Sequence, residues 1–368
     1  MASLHELNRL GQSIWLDFID RNLLSKGGLA RLVEAGVSGV TTNPTIFHKA
    51  ITGSADYDAS IRALIQRDPS MSPEQLTEAL MVADVQSAAD VLRPAFERTA
   101  GADGYVSLEV SPDLAFDAGR TVHMAHQLWK AVDRPNVMIK VPGTREGVDA
   151  FETLTADGIN VNVTLLFSVA RYEEVVRAWT RGLSRAAKPQ SVASVASFFV
   201  SRVDGKVDTQ LEAIGTPQAL ALRGRIAIAN ARLAYERFQA HRADPAVAVL
   251  LARGVRAQRP LWASTSTKNP AYRDVLYVET LIGPDTVNTL PPDTLDAFLD
   301  HGEARATISS DMVRVHGDLA ALRPLGIDMD AVTAQLESEG VASFADSWQK
   351  LLDGVKAKCL QVAGAAPG

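Results

Sequence analysis

The chain has 368 residues, a formal net charge of −6 and a sequence pI of about 5.7. It contains no cluster of five or more lysines and arginines, which argues against a nucleic-acid-binding protein, and no apolar run long enough to cross a bilayer. Its single cysteine, Cys359, excludes an intrachain disulfide and a cysteine-based zinc site, and the amino terminus lacks the pattern of a signal peptide. We therefore expect a cytoplasmic protein without a nucleic-acid or membrane partner.

Apolar segments that predict strands recur eight times along the chain. They are almost continuous in hydrophobic residues, as is typical of parallel strands covered on both faces, and the segments between them have helical periodicity. Eight strand–helix units predict a closed (β/α)8 TIM barrel with extra C-terminal helices. An open doubly wound sheet is the alternative, but its usual glycine-rich motifs are absent from the sequence. The predicted strands are Ile14–Phe18, Ser38–Thr41, Tyr105–Val110, Val137–Val141, Asn160–Phe167, Val192–Val200, Leu261–Ser264 and Thr286–Leu290.

Three helical patterns between the strands are long enough to give boundaries. Ser72–Arg98 begins with a capping serine followed by proline, and Pro94 is expected to kink it. Pro217–Arg242 reads as one long alanine-rich helix, and Asp244–Arg256 as a shorter one. These are predicted to be helices of the outer ring.

The last part of the chain follows the eighth strand and predicts additional helices at Asp293–Asp300, Ser309–Leu322 and Phe344–Leu360. We expect a single domain over residues 1–368, with residues 293–360 as a helical extension packed on the barrel. A dimer contact is the alternative use of the last helix, and residues 363–368 are expected to form a tail. Apolar residues share one face of that helix, namely Phe344, Trp348, Leu351, Leu352, Val355 and Cys359.

Lys140 stands near the end of the apolar run Val137–Val141, where a strand would normally carry another hydrophobic residue. Burial removes water from an ammonium group and favours the free amine, which is the form that attacks a carbonyl. A lysine whose stem reaches to solvent at the strand end is the alternative interpretation.

Polar residues follow most of the predicted strands, and the carboxyl ends of barrel strands carry the chemistry of this fold. A lysine with two carboxylates and several amides and hydroxyls in an apolar barrel suits Schiff-base chemistry, in which carboxylates move protons around the reacting amine. Asp17 and Glu109 also have a structural interpretation as caps of the following helices. The candidates are Asp17, Asn43, Glu109, Lys140, Asn162, Thr164, Ser197, Arg202, Ser264 and Lys268.

Two weaker motifs favour structural roles. His123 and His126 lie three residues apart on a helical stretch without an acidic partner at ligand spacing, so we predict a helix surface and no metal site. The glycine-flanked segment Gly143–Gly147 could bind phosphate, but a strand-to-helix turn capped by Thr144 is the favoured interpretation.

Several segments, taken together, resemble the transaldolase family, and the resemblance covers roughly residues 10–355. Two of them resemble the longer bacterial branch, namely Ala263–Pro270 and Val275–Glu279. The segments that carry the family resemblance itself are Thr41–Thr45, Ile139–Thr144 and Gly158–Phe167.

The resemblance implies roles for the residues that match the family's motifs. Lys140 matches the Schiff-base lysine, Glu109 and Thr164 match the pair that holds and activates a catalytic water, and Asp17 matches the acid/base that takes the proton from the C4 hydroxyl. The remaining matches concern substrate binding: Asn43 and Asn162 for the dihydroxyacetone hydroxyls, Ser197 for the donor, Phe199 as an aromatic wall and Arg202 for the phosphate.

The chain departs from the family pattern at two places. Shorter members have an arginine two positions after the seventh-strand serine, Ser264, where this chain has Ser266, so Lys268 is predicted as the second phosphate cation. In addition, Phe198 precedes Phe199 where a proline is common.

The resemblance implies a ping-pong transferase of the pentose phosphate pathway. It would pass a dihydroxyacetone unit from sedoheptulose 7-phosphate or fructose 6-phosphate to glyceraldehyde 3-phosphate or erythrose 4-phosphate, as a monomer or homodimer. No cofactor is expected, because the iminium itself accepts the electrons. The alternatives are a class I aldolase that releases free dihydroxyacetone and a catalytically silent barrel that binds sugar phosphates.

Overall fold

The eight predicted strands form a closed parallel barrel in the computed structural model, which describes residues 3–364. Each strand pairs with the next one in the chain, and the last strand pairs with the first. The prediction of a (β/α)8 TIM barrel with extra C-terminal helices is therefore confirmed. The strands are β1 (Gln12–Leu16), β2 (Val37–Val40), β3 (Tyr105–Glu109), β4 (Val137–Pro142), β5 (Val161–Leu166), β6 (Ser194–Phe199), β7 (Arg259–Ala263) and β8 (Thr286–Leu290).

Helices follow the strands and form the outer ring, and three short 3₁₀ turns lie at Pro112–Leu114, Pro189–Ser191 and Arg323–Leu325. Among residues 3–364, no helix combines the length and the apolar character that crossing a bilayer requires. The helices are α1 (Leu4–Arg9), α2 (Arg21–Ser25), α3 (Gly28–Glu34), α4 (Pro44–Thr52), α5 (Asp58–Arg67), α6 (Pro73–Arg98), α7 (Ala118–Val132), α8 (Arg145–Ala156), α9 (Val169–Arg185), α10 (Ser201–Ile214), α11 (Pro217–Leu220), α12 (Ile226–Ala243), α13 (Pro245–Ala252), α14 (Leu276–Thr280), α15 (Pro292–His301), α16 (Met312–Ala320) and α17 (Met329–Gly364).

The strands are buried on both faces, which explains their nearly continuous apolar sequences. Every residue of β3, β4, β5 and β6 is buried, because one face of each strand points into the barrel and the other packs under the helices. The packing is close enough to require a glycine in β2, where a Cβ on Gly39 would lie 2.5 Å from ring atoms of Trp15 on the neighbouring strand. The barrel therefore holds its rim residues on a rigid frame.

Helix α6 begins at the predicted cap, since Ser72 and Gln75 form a reciprocal capping box, and the helix continues through Pro94. By contrast, the prediction of one helix over Pro217–Arg242 is wrong. The chain turns between α11 and α12, where Gly224 has a φ of 69° and donates its N–H to Asp208. This turn interrupts the alanine-rich pattern because α10 supplies carboxylate acceptors for its backbone.

The last helix, α17, is longer than the pattern predicts, because it begins at Met329 rather than at Phe344. It packs against α4, α5, α6, α10 and β5, so it lies across the carboxyl ends of the strands. Glycines allow its close approach at both ends of this path: Gly340 faces Leu165 and Phe167, and Gly354 faces α4. A tail is expected at residues 363–368, but the helix continues to Gly364. Residues 365–368 lie outside the described residues.

Candidate active site

Strand register brings three of the predicted site residues into one row. Glu109 on β3 pairs with Lys140 on β4, and Lys140 pairs with Asn162 on β5. The side chains lie near the carboxyl ends of their strands and are buried, with relative exposures of 8% for Glu109 and 5% for Lys140. The alternation of the β-strands thus directs an amine, a carboxyl and an amide to one place inside the barrel mouth.

The Lys140 amine is held inside the protein and does not reach to solvent. Its Nζ donates to the backbone carbonyl of Thr42 at 2.9 Å and lies 3.8 Å from Oε2 of Glu109. The ring of Phe344, on α17, covers the amine with its centroid 5.9 Å from Nζ. The structure therefore favours a buried amine over the solvent-reaching lysine.

Two buried carboxyl groups, those of Glu109 and Asp17, interact electrostatically with this amine. Burial raises the pKa of the Glu109 carboxyl to about 7; the charge of Asp17 adds to this rise, and the Lys140 ammonium opposes it. Burial also raises the pKa of Asp17, against the opposing effects of Lys140 and of a hydrogen bond from Thr41. A carboxyl that titrates near neutral pH is suited to take up and return a proton.

Neither carboxylate serves as a helix cap. Helix α2 is capped by Asp20, while Oδ1 of Asp17 accepts the Thr41 hydroxyl at 2.7 Å. Thr41 lies in turn 2.5 Å from the Thr289 hydroxyl on β8. Glu109 precedes a 3₁₀ turn that has no side-chain cap. Both acids are thus directed to the barrel mouth, and the capping alternative is wrong for both.

Short polar side chains on β3, β5 and β6 form a hydrogen-bonded chain next to this row. Asn162 donates its amide to Oγ of Ser107 at 3.0 Å and accepts the Ser197 hydroxyl at 2.7 Å. Thr164 is fully buried, and its hydroxyl has no hydrogen-bond partner among the described residues; the same is true of Oε2 of Glu109. Buried polar atoms are nearly always paired, so these two are available to a water or a substrate.

Aromatic and basic side chains continue the site along β6 into α10. The ring centroids of Phe199 and Phe167 lie 5.3 Å apart, and the guanidinium of Arg202 lies 5.4 Å from the centroid of Phe199. Burial lowers the pKa of Arg202, an effect that the carboxylate of Glu339 on α17 opposes. Phe198 points away from this site and packs edge-on against Trp262. The strand therefore directs Phe199 toward Arg202 even though position 198 is a phenylalanine and not the proline that is common in the family.

The remaining predicted binding residues have local structural contacts. Oδ1 of Asn43 caps α4 by accepting the N–H of Ile46 at 3.0 Å. Ser264 adopts a φ of 55°, and its hydroxyl lies 2.9 Å from that of Ser201 at the start of α10. Lys268 is exposed, and its Nζ donates to the hydroxyl of Ser266 at 2.7 Å. The structure thus brings Ser264 to α10 but leaves Lys268 at the surface.

Both weaker motifs make structural contacts. The hydroxyl of Thr144 accepts the N–H of Gly147 at 3.1 Å and caps α8, which confirms the turn. His126 is exposed and pairs with Asp157 at 2.9 Å.

Several residues around the amine were not predicted. The carbonyl of Thr42, in the loop after β2, accepts from Lys140, and Ser107 on β3 accepts from the amide of Asn162. Phe344 and Trp348 belong to the predicted apolar face of the last helix, and Trp348 lines a small cavity together with Glu109. Periodicity could identify the apolar face, whereas its location over the amine depends on the path of α17.

Comparison with known proteins agrees with this geometry. Residues 14–355 match the family described as Transaldolase/Fructose-6-phosphate aldolase. A transaldolase of Thiobacillus denitrificans is 50% identical over 352 residues, which cover 94% of this chain and 98% of that relative. Transaldolases of Parafrankia sp. and Acidothermus cellulolyticus are 49% and 50% identical and cover 96% and 95% of this chain, and 97% and 94% of their own lengths. The resemblance found in the sequence motifs is confirmed, and the chain belongs to the transaldolase/fructose-6-phosphate aldolase family.

Proposed function

We propose that the protein is a transaldolase of the pentose phosphate pathway that transfers a dihydroxyacetone unit between sugar phosphates through a Schiff base on Lys140. The observation that carries the proposal is the buried amine 3.8 Å from a carboxyl whose pKa is raised to about 7. The donors would be sedoheptulose 7-phosphate or fructose 6-phosphate, and the acceptors glyceraldehyde 3-phosphate or erythrose 4-phosphate.

In the first step, the Glu109 carboxylate accepts a proton from the Lys140 ammonium. The free amine attacks C2 of the ketose and forms a carbinolamine, and protonated Glu109 then delivers its proton to the departing hydroxyl. One water leaves, an iminium remains on Lys140, and Glu109 is a carboxylate again. Thr164, whose buried hydroxyl has no partner among the described residues, would hold this water.

In the second step, Asp17 takes the proton of the C4 hydroxyl and the bond between C3 and C4 breaks. The electron pair of that bond moves into the iminium, so an enamine stays on Lys140 while an aldose phosphate leaves. The enamine attacks the aldehyde of the acceptor, and the same steps run in reverse. The iminium is the electron sink, so we propose that no cofactor or metal takes part.

Binding residues surround these reacting groups. We propose that the amides of Asn43 and Asn162 bind the dihydroxyacetone hydroxyls and that Ser197, Ser264 and Phe199 contact the donor. Arg202 would hold the phosphate with paired N–H donors, with Lys268 as the second cation.

We also propose that the chain works as one domain, with residues 293–360 as its helical extension, since α17 contacts elements from α4 to α10. The protein would act in the cytoplasm on free sugar phosphates, as a monomer or homodimer, without a nucleic-acid or membrane partner.

Borohydride trapping tests the mechanism. Incubation with fructose 6-phosphate and borohydride should add the mass of the reduced dihydroxyacetone adduct at Lys140, and Lys140→Ala should abolish both the adduct and the transfer. Lys358 provides a matched control, because it is also buried but bonds to the carbonyl of Ile51, remote from the site. Lys358→Gln should keep the adduct at Lys140. Undiminished transfer by Lys140→Ala would contradict the proposal.

The family description also names an aldolase, which would release dihydroxyacetone to water. Fructose 6-phosphate alone should then yield free dihydroxyacetone. A transaldolase should turn over the same substrate only when erythrose 4-phosphate is supplied, and a coupled assay with and without the acceptor separates the two activities.

A further inference from the structure

Two cations on α10 face one carboxylate on α17. Arg202 and Lys206 are four residues apart on α10, which places their side chains on the same face of the helix. Nζ of Lys206 donates to Oε1 of Glu339 at 2.6 Å, and Gln335 donates to the same oxygen at 2.9 Å. The carboxylate of Glu339 is thus an internal anion held beside the arginine that matches the family's phosphate ligand.

This carboxylate lies at the rim of the reacting site. Gly340, its neighbour on α17, packs so closely that an added Cβ would lie 3.1 Å from Leu165 and 3.5 Å from the ring of Phe167. The ring of Phe167 in turn contacts Phe199, over which the Arg202 guanidinium lies. Phe344, which covers the Lys140 amine, lies five residues after Glu339 on the same helix, roughly 7 to 8 Å along the helix axis.

The charges around Glu339 favour an anion at this place. The hydrogen bond from Lys206, together with the charges of Lys206 and Arg202, lowers the pKa of the Glu339 carboxyl. Glu339 is therefore ionised at neutral pH. Its side chain is 50% exposed, whereas that of Lys206 is 24% exposed, so the carboxylate can turn toward water while the lysine stays at the rim.

We propose that Lys206 joins Arg202 in binding the phosphate group of the substrate, as a cation in addition to Lys268, and that Glu339 is an intramolecular competitor which this phosphate displaces. The proposal rests on the proposed function. A phosphate carries nearly two negative charges and three acceptor oxygens, so it binds two cations more strongly than a single carboxylate does. Displacement of Glu339 would also break its hydrogen bond with Lys206, which is one of the contacts between α17 and the barrel. The 3.5 Å ion pair between Arg171 and Glu337 would remain.

The test compares Lys206→Met and Glu339→Gln with the unmodified protein. We expect Lys206→Met to raise the KM for fructose 6-phosphate about fivefold or more, and Glu339→Gln to lower it about two- to fivefold, with kcat changed less than about twofold in each. Lys350 and Asp346 form a matched exposed pair on the same helix, with Nζ 2.6 Å from the carboxylate. Lys350→Met and Asp346→Asn should leave the KM unchanged.

Direct titration with inorganic phosphate separates this proposal from the proposed function. Phosphate should bind more weakly to Lys206→Met and more tightly to Glu339→Gln, whether or not the protein transfers dihydroxyacetone. Trapping of free dihydroxyacetone at Lys140, which involves no phosphate, should be equal in all variants. If the unmodified protein showed neither transfer nor trapping, the proposed function would be overturned. If phosphate bound equally well to Lys206→Met, or more weakly to Glu339→Gln, the proposed role of Lys206 and Glu339 would be overturned.

Discussion

Two clusters of buried acids lie in this barrel, and they differ in what surrounds the carboxyl groups. Glu109 and Asp17 lie beside Lys140 at the ends of β3, β1 and β4. Asp204 and Asp208 lie on α10. Burial raises the pKa of both Glu109 and Asp204 to about 7.

The α10 cluster is fully hydrogen-bonded. Oδ1 of Asp204 accepts the N–H of Ala227 at 2.7 Å, and its Oδ2 accepts the Tyr277 hydroxyl at 2.8 Å. Asp208 accepts in the same way from Gly224 and from Tyr272, at 3.1 and 2.6 Å. These bonds tie the turn before α12 and the segment before β8 to α10, which explains the cluster without any reaction.

The cluster at the mouth has an amine within reach and polar atoms without partners. Oε2 of Glu109 and the hydroxyl of Thr164 are both buried and have no hydrogen-bond partner within the described residues. A raised pKa therefore does not by itself mark a reacting carboxyl. A buried amine and buried polar atoms without hydrogen-bond partners among the described residues distinguish the candidate active site from the α10 cluster.

The largest expected effect comes from Glu109→Gln. The variant keeps the shape of the side chain but cannot carry protons, so transfer should fall about 10²- to 10⁴-fold. In the unmodified protein, kcat/KM should fall about tenfold per pH unit below pH 7, because the carboxylate form accepts the lysine proton. Stopped assays between pH 5.5 and 8.5 measure both effects. An unchanged acid limb in the variant would show that another group controls this pH dependence.

Asp204→Asn examines the other cluster through stability. The pKa of Asp204 is raised to about 7 in the folded protein, so the folded state keeps a proton that the unfolded chain has already released. The contribution of Asp204 to the free energy of unfolding is therefore largest below the pKa that this group has in the unfolded chain. It decreases as pH rises through about 7, by roughly 2 kcal/mol between pH 5 and 7. Urea unfolding at several pH values should reveal this loss in the unmodified protein and a smaller one in Asp204→Asn. Equal pH dependence of the two proteins would contradict the assignment.

Thr164→Val should separate stability from activity. The variant replaces an unpaired buried hydroxyl by a methyl group, so the free energy of unfolding should stay constant or rise by up to about 1 kcal/mol, whereas transfer should fall about 10- to 100-fold. Thr155 on α8 supplies the control, because its hydroxyl is also buried and unpaired within the described residues. Thr155→Val should change stability in the same direction and leave transfer intact.

Two tyrosine changes in the α10 cluster, Tyr277→Phe and Tyr272→Phe, should have the smallest effects, and that of Tyr277→Phe is the larger of the two. Tyr277→Phe removes one donor from Asp204 and leaves a buried oxygen without a partner, which should reduce the free energy of unfolding by about 1 to 2 kcal/mol. Tyr272→Phe should cost less, because Tyr272 is partly exposed and water can replace its hydroxyl at Asp208. Both variants should keep the adduct at Lys140, and loss of that adduct would mean that the α10 cluster takes part in the reaction.

Short-range patterns in the sequence account for the barrel and for the row of candidate site residues on β3, β4 and β5. The predicted strands lie within about two residues of the observed ones, because buried parallel strands are almost continuously apolar. Lys140 and Glu109 could be identified because each is a charged residue in such a run. Strand register then brings them together without further information.

Features that depend on long-range contacts could not be predicted in this way. The break within Pro217–Arg242 depends on two carboxylates of α10 that accept hydrogen bonds from backbone amides. Asp208 is 16 residues from its donor and Asp204 is 23 residues from its donor. The location of Phe344 over Lys140 follows from the path of α17 and not from its periodicity. The carbonyl of Thr42 is a backbone group, which side-chain patterns do not reveal.

The position of α17 in the chain has a consequence for the order of synthesis. The barrel can close once β8 leaves the ribosome, but Phe344 and Trp348 are translated more than fifty residues after β8 ends. Thr45 and Ser347, whose hydroxyls meet at 3.0 Å, are 302 residues apart. The nascent protein thus exposes the Lys140 amine to water until α17 has been translated and has packed over the barrel mouth.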